Sequence, residues 1–150
     1  MTENALVRDW MTPNPITVRS GTSLAEARAQ MEHDDIRRLL VVGSDNELVG
    51  VVSWGDVMEA WPSPFTMLEP TEVRELMARV SVDEVMSTDV VSVDPDTSIS
   101  EAANLIFEHQ IGAVPVVDQR RVVGILTNSD LLRGLVRILM GSNAGPATDD

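Results

Sequence analysis

One seven-residue phrase occurs twice in this chain, as GVVSWGD at residues 50–56 and as GILTNSD at residues 124–130. Each copy ends an apolar stretch with a hydroxyl residue, which is followed three positions later by an aspartate. The copies are 74 positions apart, and an offset of 75 also pairs Met11 with Met86. Because self-similarity at a fixed period is the signature of a repeated structural unit, we predict two similar halves. Any binding site is then expected to occur as a pair.

Both halves are predicted to fold in the order β-α-β-β-α, which gives an α+β fold class. In the first helix of each half, apolar residues recur at helical spacing, from Leu24 in one half and from Ile99 in the other. The serine before each helix is followed three residues later by a glutamate, which is the spacing of a capping box. The second helix is predicted to begin near the aspartate of the phrase. The predicted strands are residues 16–18, 39–42 and 48–52 in the first half and residues 90–93, 114–117 and 122–126 in the second.

The repeats are assigned to residues 5–61 and 81–139, with a connector at residues 62–80. Prolines mark the start of the connector, and a short amphipathic helix is predicted to follow them. Residues 141–150 combine glycine, proline and acids without an apolar pattern, so we expect a disordered tail. The face of the connector helix that is expected to be buried carries Val73, Leu76, Met77 and Val80.

The composition restricts the classes of partner. The formal net charge of −13 opposes binding to nucleic acid and to anionic lipid, because both attract cationic side chains. The chain contains no cysteine, which excludes disulfides, thiolate metal sites and cysteine nucleophiles. No apolar run approaches the roughly 20 residues needed to cross a bilayer, and the sequence does not open on a basic and apolar leader. We therefore expect a cytoplasmic protein without nucleic-acid or membrane contacts.

The residue types in the repeated phrase suit a ribose-phosphate ligand. Ser53 and Thr127 are predicted to lie where a buried strand ends, and Asp56 and Asp130 in the first turn of the following helix. Free backbone N–H groups at that position attract anions such as phosphate, whereas a carboxylate can accept hydrogen bonds from two vicinal hydroxyls. The alternative is that these side chains only cap the helices. The sequence by itself leaves both interpretations open.

The order of elements and the phrase together resemble a tandem pair of cystathionine-β-synthase (CBS) domains, the arrangement called a Bateman module. The resemblance extends over residues 5–138. Residues 7–12 (VRDWMT) and 82–87 (VDEVMS) are similar to the segment that opens each repeat in this family, and residues 111–117 (IGAVPVV) to its strand entry. The connector also resembles that of bacterial acetoin-utilisation-type CBS proteins.

This resemblance implies a pseudo-twofold CBS-domain pair with two clefts for adenine nucleotides (AMP, ADP or ATP) or S-adenosylmethionine. In the family, the aspartate of the phrase binds the ribose hydroxyls, and the serine or threonine lies near the ribose and phosphate. The first strand of each repeat borders the adenine. The residues implied are Asp56, Ser53, Pro15 and Ile16 for one cleft and Asp130, Thr127, Val90 and Val91 for the other.

The two repeats differ at the positions where the family contacts phosphate. Arg37 and Arg38 belong to IRRLLVV, which resembles a phrase at one nucleotide site of the AMP-activated protein kinase γ subunit; a solvated corner is the alternative. Repeat two has Gly112 and Ala113 instead. We therefore predict that cleft one prefers a phosphorylated ligand and that cleft two takes a less charged adenosyl ligand or stays empty.

Two further positions are noted in repeat two. Pro115 keeps a proline that is usual in the family's strand and is included among the candidate binding residues, whereas repeat one has Leu40. Arg133 follows Asp130 by one turn and is a candidate substitute for the missing arginines.

Trp54, inside the first phrase, is assigned to the core or an interface, with stacking on a ligand as the alternative.

The resemblance implies a non-enzymatic, energy-sensing regulatory module with no catalytic residues, required cofactor or metal. An effector protein would respond to the ligand in trans. The alternatives are a constitutive dimerisation or adaptor domain with vestigial clefts, and a hydrolase that uses Asp56 and Asp130. The last helix carries apolar residues almost all round, more than one core face requires, which predicts a homodimer.

Overall fold

The computed structural model describes residues 5–144, and side chains up to residue 141. These residues form two compact units. The continuous unit is Ile16–Val90, and the discontinuous unit comprises the stretch up to Pro15 and the stretch from Val91 onward. In chain order the elements are α1 (Val7–Trp10), β1 (Thr12–Pro13), β2 (Thr17–Arg19), α2 (Leu24–Asp34), β3 (Arg38–Val42), β4 (Leu48–Ser53), α3 (Trp54–Ala60), α4 (Pro70–Met77), α5 (Ile99–His109), β5 (Ala113–Asp118), β6 (Arg121–Thr127) and α6 (Asn128–Ala144).

The continuous unit contains a three-stranded sheet in the order β2-β3-β4, with β2 parallel and β4 antiparallel to β3. The capping box predicted before α2 is confirmed: the Ser23 hydroxyl accepts from the Glu26 N–H at 3.1 Å, and the Glu26 carboxylate accepts from the Ser23 N–H at 3.4 Å. Strand β3 is buried at four of its five residues, as its valine-rich sequence predicts. The buried core consists of Leu24, Ala27, Met31, Leu39, Val41, Val52, Val57, Val73, Met77 and Val82.

The discontinuous unit has a sheet in the order β1-β6-β5, in which both neighbours of β6 are antiparallel to it. Before α5 only half of the predicted box forms, because the Ser98 hydroxyl accepts from the Glu101 N–H at 3.1 Å without a reciprocal bond. The buried core of this unit consists of Val7, Val93, Ile99, Ala102, Ile106, Val114, Val116 and Leu126.

Each unit contains most of one repeat together with the opening segment of the other repeat. In the continuous unit, the Asp83 carboxylate accepts hydrogen bonds from the Ser20 hydroxyl, from the Gly21 N–H at 2.7 Å and from the Ser81 hydroxyl at 2.9 Å. These bonds favour the ionised carboxylate and lower the pKa of Asp83, with the Ser20 bond contributing most. The opening segment of repeat one, residues 5–13, belongs to the discontinuous unit, where β1 pairs with β6 of repeat two. The predicted repeat boundaries describe the duplicated sequence and remain a prediction. The compact units have different boundaries, because each one exchanges its opening segment with the other.

The glycine that opens each phrase has a steric reason. A Cβ at Gly50 would lie 2.5 Å from the Met86 sulfur and 2.9 Å from the Ser87 carbonyl oxygen. A Cβ at Gly124 would lie 2.5 Å from the Met11 sulfur. The opening methionine of one repeat therefore occupies, in both units, the space above the strand of the other repeat.

Three expectations from the sequence are wrong in part. Residues 90–93 form no strand: one parallel bridge joins Val93 to Val116. In the connector helix α4, Val73 and Met77 are buried as predicted, but Leu76 is 43% exposed and Val80 follows the end of the helix. Helix α6 continues to Ala144, so residues 141–144 are helical, and the rest of the predicted tail, residues 145–150, lies outside the described residues.

Candidate functional site

In both phrases the hydroxyl residue and the aspartate form a reciprocal pair of hydrogen bonds. The Asp56 Oδ2 accepts from the Ser53 N–H at 2.9 Å, and the Ser53 hydroxyl accepts from the Asp56 N–H at 3.0 Å. The corresponding distances for Asp130 and Thr127 are 2.9 and 3.1 Å. Both pairs of side chains therefore cap their helices, which by itself does not exclude a second role in ligand binding. The cap uses one carboxylate oxygen of each aspartate, so the availability of the other oxygen decides what else the aspartate can bind.

At Asp130 the second oxygen already has two partners. Its Oδ1 accepts from the Thr12 hydroxyl at 2.9 Å and from an Arg133 Nη at 2.9 Å. Only 3% of the Asp130 side chain is exposed, and among residues 5–141 it is the one charged residue that is buried. Burial of a carboxylate is tolerated when it is paired and hydrogen-bonded, and these donors supply both.

At Asp56 the second oxygen is unoccupied by protein donors. Within the described residues, its Oδ1 accepts no hydrogen bond, and the side chain is half-buried. One turn later the continuous unit has Glu59 where the discontinuous unit has Arg133. A carboxylate at that position cannot donate to Asp56, so the same phrase has one aspartate oxygen free and accessible in this unit.

The two arginines predicted from repeat one are on the backbone segment that faces the start of the phrase. Arg38 is the register partner of Ser53 across β3 and β4, and the Arg37 carbonyl accepts from the Trp54 N–H at 2.8 Å. Both arginine side chains are exposed and make no ion pair with a described residue. The backbone of Arg37 and Arg38 therefore lies beside the start of the phrase, at Ser53 and Trp54.

The other unit repeats this backbone without the cations. Ala113 is the register partner of Thr127, and the Gly112 carbonyl accepts from the Asn128 N–H at 2.9 Å. The frame of hydrogen bonds around the phrase is thus the same, while two arginines are replaced by residues without charge. The two pairs of residues thus occupy equivalent backbone positions, and the effect of this difference on ligand choice remains a prediction.

The residues predicted to border adenine lie where the chain passes from one unit to the other. Pro15 is the last residue before Ile16 opens the continuous unit, and Val90 precedes Val91 at the return. Ile16 is 41% exposed, whereas Val91 packs on the core of the discontinuous unit. Their role towards adenine stays a prediction.

Pro115 has a structural role within its own unit. It is buried in β5 opposite Ile125, and its carbonyl accepts from the Val93 N–H at 3.1 Å. Its place in a ligand site remains a prediction.

Arg28, which lies outside the predicted site, contacts the ring of Trp54. The Arg28 guanidinium carbon lies 5.7 Å from the Trp54 ring centre and 4.4 Å from that of Trp61, and Arg28 also pairs with Glu32 at 3.5 Å. Cation–π contacts of this kind fix the indole rings. The ring of Trp54 therefore has a protein partner, as the core interpretation expects. The signal in the sequence was an arginine that interrupts the apolar positions of α2.

Two classes of feature are not found in the part of the chain that the structure covers. Residues 5–144 contain no group of three or more His, Cys, Asp or Glu side chains that could hold a metal ion. None of the helices in the same residues is long and apolar enough to cross a lipid bilayer.

Comparison with known proteins agrees with the repeat. The family described as the CBS domain matches residues 7–63 and again residues 82–137. The chain belongs to the CBS domain family. A CBS domain-containing protein of Dictyostelium discoideum is 30% identical over 135 residues, which are 89% of this chain and 93% of that protein. An uncharacterized protein of Methanocaldococcus jannaschii is 32% identical over 135 residues, and there the match spans 88% of this chain and 32% of the relative.

Solved CBS structures share the fold. A Vibrio cholerae protein assigned to acetoin utilization has a TM-score of 0.78 at 32% identity, covering 95% of this chain and 98% of its own. The structure of CBSX2 in complex with AMP has a TM-score of 0.75 at 28% identity, with coverages of 90% and 98%. The CBS domain pair of protein MJ0100, in complex with 5′-methylthioadenosine and S-adenosyl-L-methionine, has a TM-score of 0.70 at 28% identity, with coverages of 88% and 96%. The predicted CBS-pair fold class is confirmed.

Proposed function

We propose that this CBS pair is a non-enzymatic regulatory module that binds an adenine nucleotide or S-adenosylmethionine in the cytoplasm and signals in trans to a partner protein. The ligands of CBSX2 and of the MJ0100 pair support an adenosyl ligand. The family matches at residues 7–63 and 82–137 support a CBS pair as the ligand-binding module, and we assign the output to another protein.

The observation that carries the proposal is the free Oδ1 of Asp56, in a unit that has two exposed, unpaired arginines where the strand opposite Ser53 begins. A carboxylate oxygen that is accessible can accept from vicinal ribose hydroxyls, and the Ser53 hydroxyl lies next to it. A guanidinium presents a planar set of donors that fits phosphate oxygens. Asp56, Arg37 and Arg38 therefore match the two chemical ends of a nucleoside phosphate, and the continuous unit is the proposed AMP-type site.

Replacing Arg37 and Arg38 together by alanine is expected to weaken AMP binding by about tenfold or more. The expectation follows because a charge-assisted hydrogen bond contributes about 1.5–3 kcal/mol, and 1.4 kcal/mol corresponds to a factor of ten. S-adenosylmethionine has no phosphate, so its affinity should change much less. Isothermal titration calorimetry with AMP, ADP, ATP and S-adenosylmethionine measures both effects.

The matched control is Arg79→Ala, which removes an exposed arginine from the same unit away from the phrase. It should reproduce the affinity of the unmodified protein. If the control and the double variant lose AMP affinity equally, the effect comes from net charge, and Arg37 and Arg38 do not form the phosphate site. Silence from all four ligands would favour the adaptor alternative, and nucleotide turnover would favour the hydrolase.

We also propose that the protein forms a homodimer through α6. Its exposed apolar residues form a stripe at helical spacing, and each is 48–66% exposed: Leu132, Leu135, Val136, Leu139 and Met140. A contiguous apolar stripe of this kind is typical of an interaction surface.

Light scattering is expected to give a mass of twice the 16.4 kDa of the chain. Leu139→Glu should shift the mass towards the monomer, since it places a charge in the stripe. Leu76→Glu on α4 makes the same exchange at another exposed leucine and should leave the dimer intact. A monomeric unmodified protein at micromolar concentration would contradict the proposal.

A further inference from the structure

We propose that the chain itself closes the site at Asp130, so that each chain binds one adenosyl ligand, at Asp56, instead of two. Thr12 and Arg133 occupy the carboxylate oxygen that a ribose would need. The inference rests on the proposed function, because it concerns which of the two phrases takes the ligand.

The donors at Asp130 replace those of a vicinal diol one for one. A diol would offer two O–H donors to the carboxylate, and Oδ1 already accepts one O–H from Thr12 and one N–H from Arg133, both at 2.9 Å. The remaining oxygen, Oδ2, accepts from the Thr127 N–H in the helix cap. With 3% of the side chain exposed, the carboxylate has neither a free oxygen nor an open path to it.

The same positions in the continuous unit cannot close Asp56. At an offset of 75, Thr12 corresponds to Ser87, whose hydroxyl makes no bond to Asp56 among the described residues. Arg133 corresponds to Glu59, which carries the same charge as Asp56 and has no donor when ionised. Closure therefore depends on two differences between the repeats, and both favour the discontinuous unit.

A ligand at Asp130 would have to displace both donors. Thr12 lies on β1, whose register against β6 is fixed by pairing with Ile125, so its hydroxyl is held in place by the sheet. Arg133 is 61% exposed, but its displacement would leave a buried carboxylate without its cation. The site at Asp130 is therefore expected to bind at least tenfold more weakly than the site at Asp56.

The test is the stoichiometry of AMP binding to the full chain by calorimetry. We expect one AMP per chain for the unmodified protein and loss of that event in Asp56→Ala. Thr12→Val/Arg133→Ala should add a second binding event, since it removes both donors from the carboxylate, whereas Arg133→Ala alone keeps the Thr12 hydroxyl and should retain one. Arg137→Gln, four residues further along α6 and exposed, should retain one. Circular dichroism verifies that each variant is folded.

The outcomes separate the two proposals. Two equal AMP sites in the unmodified protein, or a single site that survives Asp56→Ala, would overturn the closure and leave nucleotide binding intact. AMP binding that appears only in Thr12→Val/Arg133→Ala would support closure and overturn the proposed function of the unmodified chain. Absence of binding in every folded variant would overturn both. The stoichiometry of the unmodified protein is decisive even if the double variant fails to fold.

Discussion

Gly134→Ala is expected to destabilise the protein by about 2 kcal/mol, although alanine is the better helix former. A Cβ at this position of α6 would lie 2.2–2.7 Å from three carbons of the Trp10 ring, which packs across the helix from α1. Overpacking of this kind costs about 3 kcal/mol, while the gain in helix propensity is about 1 kcal/mol. A rigid indole cannot yield as a flexible side chain would, so the steric effect should exceed the gain.

The same helix supplies the control for that measurement. A Cβ at Gly141 would meet nothing within 4 Å, so Gly141→Ala should be neutral or slightly stabilising. Urea denaturation of both variants separates the clash from the propensity. Trp10→Ala should remove most of the penalty of Gly134→Ala, because residues in contact give non-additive changes in a double-mutant cycle. A higher midpoint for Gly134→Ala than for the unmodified protein would contradict the contact.

The repeated phrase predicted most of the fold, because buried valine-rich strands and helix caps are local signals. The strand at residues 90–93 failed for a reason that lies elsewhere in the chain. Val93 forms one bridge, with hydrogen bonds to the Pro115 carbonyl and from the Val117 N–H. Proline has no N–H to donate, so the ladder cannot extend beyond that bridge. In repeat one Leu40 stands in place of Pro115, and β2 pairs over three residues.

The candidate site also has some features that follow from local sequence signals and one that depends on long-range packing. The pairing of each hydroxyl with its aspartate, and the position of Arg38 opposite Ser53, follow from short spacings and strand register. The contact of Thr12 with Asp130 joins residues 118 positions apart, and it depends on the packing of the opening segment against β6. No periodicity encodes such a contact. The sequence therefore predicted two sites that differ in their arginines, whereas the difference between their aspartates depends on long-range packing.

Asp130→Ala is expected to lower the free energy of unfolding by about 3 kcal/mol or more, against about 1 kcal/mol for Asp56→Ala. Both variants lose a helix cap. Only the first removes a buried carboxylate that also accepts from Thr12 and Arg133 and leaves those donors without their acceptor.

Chemical denaturation without ligand measures this difference independently of any binding. Because the two aspartates occupy the same position of the same phrase, Asp56→Ala corrects for the loss of the cap, and the excess at Asp130 measures the buried network. Thr12→Val should show a smaller part of that excess, since it removes one donor and keeps the cation. Equal losses for the two aspartates would mean that the network at Asp130 adds nothing to stability. An excess of about 2 kcal/mol would show that the discontinuous unit uses its aspartate to hold the fold together, which leaves Asp56 as the one available for a ligand.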